Sequence, residues 1–123
     1  MLVSILRQGD YLIASIHEAL DDGELLRFQE ELLAQVDRFR SRGVIIDVAA
    51  LDVLDSFASR TLRNLADVTR LRGAETVIVG IRPEVAFAMV RLGMKLGDVH
   101  AALDLEEGLA YLQNRTLNGG DGR

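Results

Sequence analysis

Two short runs of mostly β-branched residues, Val44-Ile45-Ile46-Asp47-Val48 and Thr76-Val77-Ile78-Val79-Gly80, stand on either side of a segment with helical periodicity. Apolar residues that follow one another without alternation suit a strand covered on both faces. Joining two such strands in parallel takes a crossover of a dozen residues or more, and the intervening segment is long enough to be one. The chain is thereby directed toward an α/β sheet with helices packed on it.

The flanking segments extend this pattern. Residues 3–7 and 11–16 are short apolar or β-branched runs around Gln8-Gly9-Asp10, which predicts a hairpin. Asp21-Asp22-Gly23 supplies an N-cap, after which Leu25, Phe28, Leu32, Val36 and Phe39 recur at helical spacing over 22–41, with Arg42-Gly43 as the stop. A second helix is expected over 57–71, with Leu62, Leu65 and Val68 or Thr69 inward and Arg60, Asn64 and Arg70 outward. Pro83 opens a third helix through about Leu92, 99–101 forms a short last strand, and Asp104 opens a closing helix through Asn114. The order β-β-α-β-α-β-α-β-α suggests a doubly wound α/β fold, made mixed by the opening antiparallel pair. One domain over 1–116 and a flexible tail over 117–123 are expected, because 123 residues that are 49% apolar bury one sizeable core.

Charge and composition narrow the functions. A net charge of −5 offers no global basic field for nucleic acid or an anionic bilayer. Without cysteine there is no thiolate metal site, cysteine nucleophile or disulfide framework. The first residues reach a charge at Arg7 and read as a strand, no apolar run approaches the ~20 residues of a membrane span, and a cytoplasmic location follows as the expectation.

In open α/β sheets the useful place is the carboxyl end of the strands, where this chain offers Asp47, Asp52, Asp55 and Ser56. Enzyme readings find little there. No G-x-S-x-G elbow or phosphate-cradling glycine loop occurs, Lys95 is the single lysine, and His17 and His100 lie on separate elements. A metal site using Asp47, Asp52 and Asp55 stays open as an alternative, as does simple capping by these acids. Ser56, at the mouth of the second helix, can cap the backbone and can also be reached by an external enzyme. A phosphate there would place about −1.5 to −2 charge at the positive end of a helix. Phe57 is expected on the exposed first turn, and the all-round apolar stretch from Val85 to Val90, with Phe87 and Met89, as a contact surface or a helix crowded into the core.

Ile45-Ile46-Asp47-Val48, Leu51-Asp52-Val53-Leu54-Asp55-Ser56-Phe57, and a strand ending in Gly80 before a proline-initiated helix together resemble the STAS domain of bacterial anti-sigma-factor antagonists. Asp55-Ser56-Phe57, Leu20-Asp21-Asp22 leading into Phe28-Gln29-Glu30, and Ala102-Leu103-Asp104-Leu105-Glu106 with Gly108-Leu109 resemble more narrowly the small scaffold antagonists of the stressosome. The resemblance covers residues 1–115. It implies a mixed sheet flanked by about four helices, no intrinsic catalysis, no cofactor, and a phosphoacceptor serine that matches Ser56, in an environment of Asp47, Asp55 and Phe57. Sporulation and general-stress antagonists of the family carry Asp-Ser-Ser-Gly here, whereas Phe57 and Ala58 follow Ser56, and Ser59 is left as a minor alternative acceptor. The partners implied are a cognate switch serine/threonine kinase, a sensory STAS paralogue, a phosphatase reversing the modification, and further copies of the chain. Phe57, Arg60, Phe87 and Met89 are the expected contact residues. The lack of a sensory extension fits the scaffold role; a small soluble antagonist binding an anti-sigma factor directly is the alternative.

Overall fold

The structure, a computed structural model, describes residues 2–120. Strands β1 (Val3–Gln8) and β2 (Tyr11–Ile16) form the expected hairpin. Only Gly9 and Asp10 separate them, and Gly9 adopts the positive φ of 60° that so tight a turn demands.

Helix α1 (Asp22–Phe39) begins in a full capping box. Asp21 Oδ1 accepts the Glu24 N–H at 2.7 Å, and Glu24 Oε1 accepts the Asp21 N–H at 2.9 Å. Leu25, Phe28, Leu32 and Val36 line its buried side at the expected spacing. The helix stops two residues before the expected 41, at a left-handed Arg40 (φ 49°), so Gly43 is not its terminator. Gly43 instead opens β3 (Gly43–Asp47), where a Cβ would come within 2.9 Å of the Leu112 and Tyr11 side chains. That glycine is needed for close packing, not for a turn.

The chain continues through α2 (Ser56–Leu71), β4 (Glu75–Val79), α3 (Pro83–Arg91), β5 (His100–Ala102) and α4 (Leu105–Gly120). Helix α4 runs past Asn114, its expected end, and takes in residues 117–120 of the expected tail; 121–123 lie outside the described residues.

The sheet order is β1-β2-β3-β4-β5, antiparallel in the first pair and parallel in the others. The mixed sheet is as expected, but the order never reverses, so the doubly wound arrangement with its switch-point crevice is absent. Because each crossover steps to the next strand in the same direction, the fixed hand of such connections puts α1, α2 and α3 on one face. There Leu12, Ala14, Val44, Ile46 and Ile78 meet Phe28 and Leu32 of α1, Leu62 and Leu65 of α2, and Val85 and Met89 of α3. The alternate strand residues Ile13, Ile45, Val77 and Val79 face the other way, against Leu112 of α4. Truncating a wholly buried side chain such as Leu65 to alanine removes about 2–5 kcal/mol.

Candidate functional site

The eight residues 48–55 between β3 and α2 are pinned from several sides. Asp47 Oδ1 accepts the Ala49 N–H at 2.9 Å, and the Val48 N–H donates to the Val79 carbonyl at 3.0 Å. Leu51 and Leu54 turn into the main core. From the other flank, Arg82 Nε donates to the Ala49 carbonyl at 2.9 Å while its guanidinium pairs with Asp52. Gly80, at φ 81°, lets the β4–α3 turn press onto this loop, since a Cβ there would lie 2.8 Å from the Ala49 Cβ. The loop is therefore held against the core and against the start of α3.

At its end Asp55 is the N-cap of α2, with Oδ1 accepting the Ala58 N–H at 2.8 Å. This corrects the expectation that Ser56 caps the helix: Ser56 is the first helical residue, and it is exposed. Its position adjoins a cleft of about 210 Å³ between the loop and α3. Asp52, Asp55 and Glu84 supply carboxylates to the cleft, and Val53, Ala88 and Leu92 supply apolar surface. The arrangement presents a reachable hydroxyl at a helix N-terminus, beside a surface that is acidic and apolar together.

The other sequence-predicted residues divide clearly. Asp47 shapes the loop through its bond to Ala49 and does not line the cleft. Phe57, expected to be exposed, is half-buried; Arg60 is exposed as expected. Ser59 is only 2% exposed, with Oγ 3.7 Å from the Met94 sulfur, because it falls one turn after Ser56 on the inward side of α2. Met89 belongs to the main core at 6% exposure, against the expectation of a contact residue, whereas Phe87, two positions away, and Val90 are exposed. The three loop aspartates are occupied separately, Asp47 by Ala49, Asp52 by Arg82 and Asp55 by Ala58. Among the described residues no three His, Cys, Asp or Glu side chains are grouped to hold a metal ion.

Sequence reasoning missed Arg82, Glu84, Val53 and Leu92. Arg82 and Glu84 flank Pro83, the residue that starts α3, and that position was the available signal. The histidines stay apart from the site: His17 Nε2 lies 3.0 Å from Ser4 Oγ, and His100 stacks on Tyr111 with centroids 3.7 Å apart. Burial, and secondarily the Glu75 carboxylate, push the Tyr111 phenol above its ordinary value.

Comparison with known proteins agrees with this architecture. The STAS domain family matches residues 3–107. RsbS from Moorella thermoacetica, solved as a serine-to-glutamate variant, is 36% identical with a TM-score of 0.80, over 94% of this chain and 97% of that one. A chain in a structure of the stressosome, described as a signal integration and transduction hub, is 32% identical with a TM-score of 0.72, over 90% and 96% respectively. The RsbT co-antagonist protein RsbRA of Bacillus subtilis is 33% identical over 90 residues, which is 73% of this chain but 33% of that protein. The chain thus spans about a third of the length of that curated relative. Among the described residues no helix is long and apolar enough to cross a membrane.

Proposed function

The chain belongs to the STAS domain family, and on that premise we propose that it is a non-catalytic scaffold of a stressosome-type assembly, switched by phosphorylation of Ser56. Its relation to RsbS and to the RsbR co-antagonists supports the assembly part of this reading. The observation that carries the switch is the exposed Ser56 at the first position of α2, beside a cleft that also offers Asp52, Asp55, Glu84, Val53 and Leu92.

Unmodified, this surface sets a neutral hydroxyl beside the apolar side chains of Val53, Ala88 and Leu92 and suits a partner that lays an apolar contact over them. The partner proposed is a cognate switch serine/threonine kinase, held by the scaffold and a sensory STAS paralogue in the cytoplasm. The kinase transfers the γ-phosphoryl group of ATP to Ser56 Oγ, ADP leaves, and the hydroxyl proton passes to the kinase's base. The new group adds about −1.5 to −2 charge next to three carboxylates. An interface fitted to the neutral hydroxyl then has to desolvate a dianion, and the kinase is released. A phosphatase resets the serine.

The test is intact-mass analysis and peptide mapping after incubation with the cognate kinase and ATP. One added phosphate on Ser56, absent from Ser56→Ala, is expected; phosphate on another residue of α2 with Ser56 unmodified overturns the assignment. Sedimentation with the sensory paralogue separates a scaffold, which forms very large particles, from a small soluble antagonist.

A further inference from the structure

Strand β1 is the outer edge of the sheet, and its pairing with β2 fixes which backbone groups face outward. The His17 N–H donates to the Leu2 carbonyl at 2.7 Å, which makes Leu2–His17 a hydrogen-bonded pair. In an antiparallel ladder such pairs alternate, so Ser4, Leu6 and Gln8 also direct their N–H and C=O groups at β2. Val3, Ile5 and Arg7 direct theirs away from the sheet. The edge carries no proline, one of the devices that usually blunt such a strand, and its one charge is Arg7 near its end.

We propose that this edge is an interface with a second copy of the chain, joined antiparallel about a two-fold axis through Ile5. In that register Ile5 faces Ile5 of the other copy and Val3 faces its Arg7, so three residues exchanging two bonds each satisfy all six outward groups. Centring the axis on Ser4 or Leu6 forms only four of those bonds, and centring it on Arg7 sets two guanidinium groups against each other. Two further observations fit a second copy. Val3 and Ile5 line a groove of about 330 Å³ between β1 and α1, floored by Leu20 and Phe28, with Glu24, Arg27 and Glu31 of α1 along its side. Opposite residues share a face, so the Arg7 facing Val3 enters this groove, where two of the three charged side chains are carboxylates. Within one copy the Arg7 guanidinium rests 4.7 Å over the Phe39 ring, on the same side of the sheet as the groove. The two-fold also joins both grooves into one apolar seam under the paired α1 helices, a self-complementary contact of the kind closed dimers use. None of this depends on Ser56.

Cysteine cross-linking tests the register, because the chain has no cysteine of its own. Ser4 of one copy faces Leu6 of the other in a non-hydrogen-bonded pair, whose Cα separation of about 4.5 Å suits a disulfide. The double variant Ser4→Cys/Leu6→Cys is oxidised at low protein concentration beside each single variant, with circular dichroism checking the fold and sedimentation of the unmutated chain reporting its size. A disulfide-linked dimer forming at least tenfold faster in the double variant is expected, and equally fast in a Ser56→Ala background. Equal rates in a single variant overturn the register. A double variant that stays folded and uncross-linked overturns the interface, whether the unmutated chain sediments as a monomer or as a dimer built through another face. Should the double variant not fold, Ile5→Pro removes one outward donor and leaves the β2 ladder intact; an unchanged size against a dimeric parent, or a monomeric parent, overturns the proposal equally.

Discussion

Asp55 Oδ1 accepts the Ala58 N–H at 2.8 Å, and this bond separates the capping of α2 from the serine that follows. Asp55→Ala leaves that donor without its cap and is expected to cost about 1 kcal/mol in denaturant unfolding. Ser56→Ala removes an exposed hydroxyl from the first helical position and should change stability by less than about 0.5 kcal/mol. The same Ser56→Ala protein should retain the kinase permanently in a pull-down with ATP present. A stability loss from Ser56→Ala equal to that from Asp55→Ala would show the serine acting as a structural cap after all.

Ser56→Asp should weaken kinase retention only in part. One carboxylate carries about half the charge of phosphoserine and two acceptor oxygens in place of three. An affinity loss of roughly tenfold, ~1.4 kcal/mol, is expected, short of the loss produced by authentic phosphorylation. Retention as strong as in the unmodified protein would mean that charge beside Asp52, Asp55 and Glu84 is not what releases the partner.

These contrasts mark where the sequence was legible and where it was not. Strands β3 and β4 are evident, to within a residue, from their runs of successive β-branched residues, and the α1 core face from its spacing, since both patterns arise from covering a periodic surface. The site's first half was legible for the same reason, being contiguous in the chain after β3. Its second half comes from α3, some thirty residues later, and nothing in the sequence shows that Arg82 will reach back to Ala49. Asp55 and Ser56 are both good capping residues, so composition alone could not rank them. Helix α3 was ambiguous because an all-round apolar pattern has no direction: Phe87 and Met89 read alike until the packing on the sheet is known. Gly43 after Arg42 looked like a helix stop, and only the approach of Leu112 and Tyr11 shows why it is glycine.

The shifted phenol gives a pH dependence. Burial, then the Glu75 carboxylate, disfavour the Tyr111 phenolate in the folded chain, while an unfolded tyrosine ionises near pH ~10. Above that pH the folded state holds the proton that the unfolded state releases, so the stability present below pH ~10 is lost as pH rises through the folded value. In Tyr11→Phe, where Tyr111 is the one remaining tyrosine, phenolate absorbance should appear at higher pH folded than in urea. Coincident titrations would remove the effect.

Phe87 and Met89 supply the sharpest pair of variants. Phe87→Glu places a carboxylate on a surface that is already open to water, so the monomer should keep its circular dichroism and lose less than about 1 kcal/mol. If Phe87 and Val90 are covered in the assembly, the same carboxylate is buried without a partner there, at a cost of several kcal/mol that few interfaces survive. Sedimentation with the sensory paralogue should then show the large particles gone. Met89→Glu meets the opposite fate, because its carboxylate would have to enter the core among residues such as Leu62 and Val85, and the protein should fail to fold. Intact assembly by Phe87→Glu would show α3's outer side to be idle, leaving the contact surface to Phe57, Arg60 and the cleft beside Ser56.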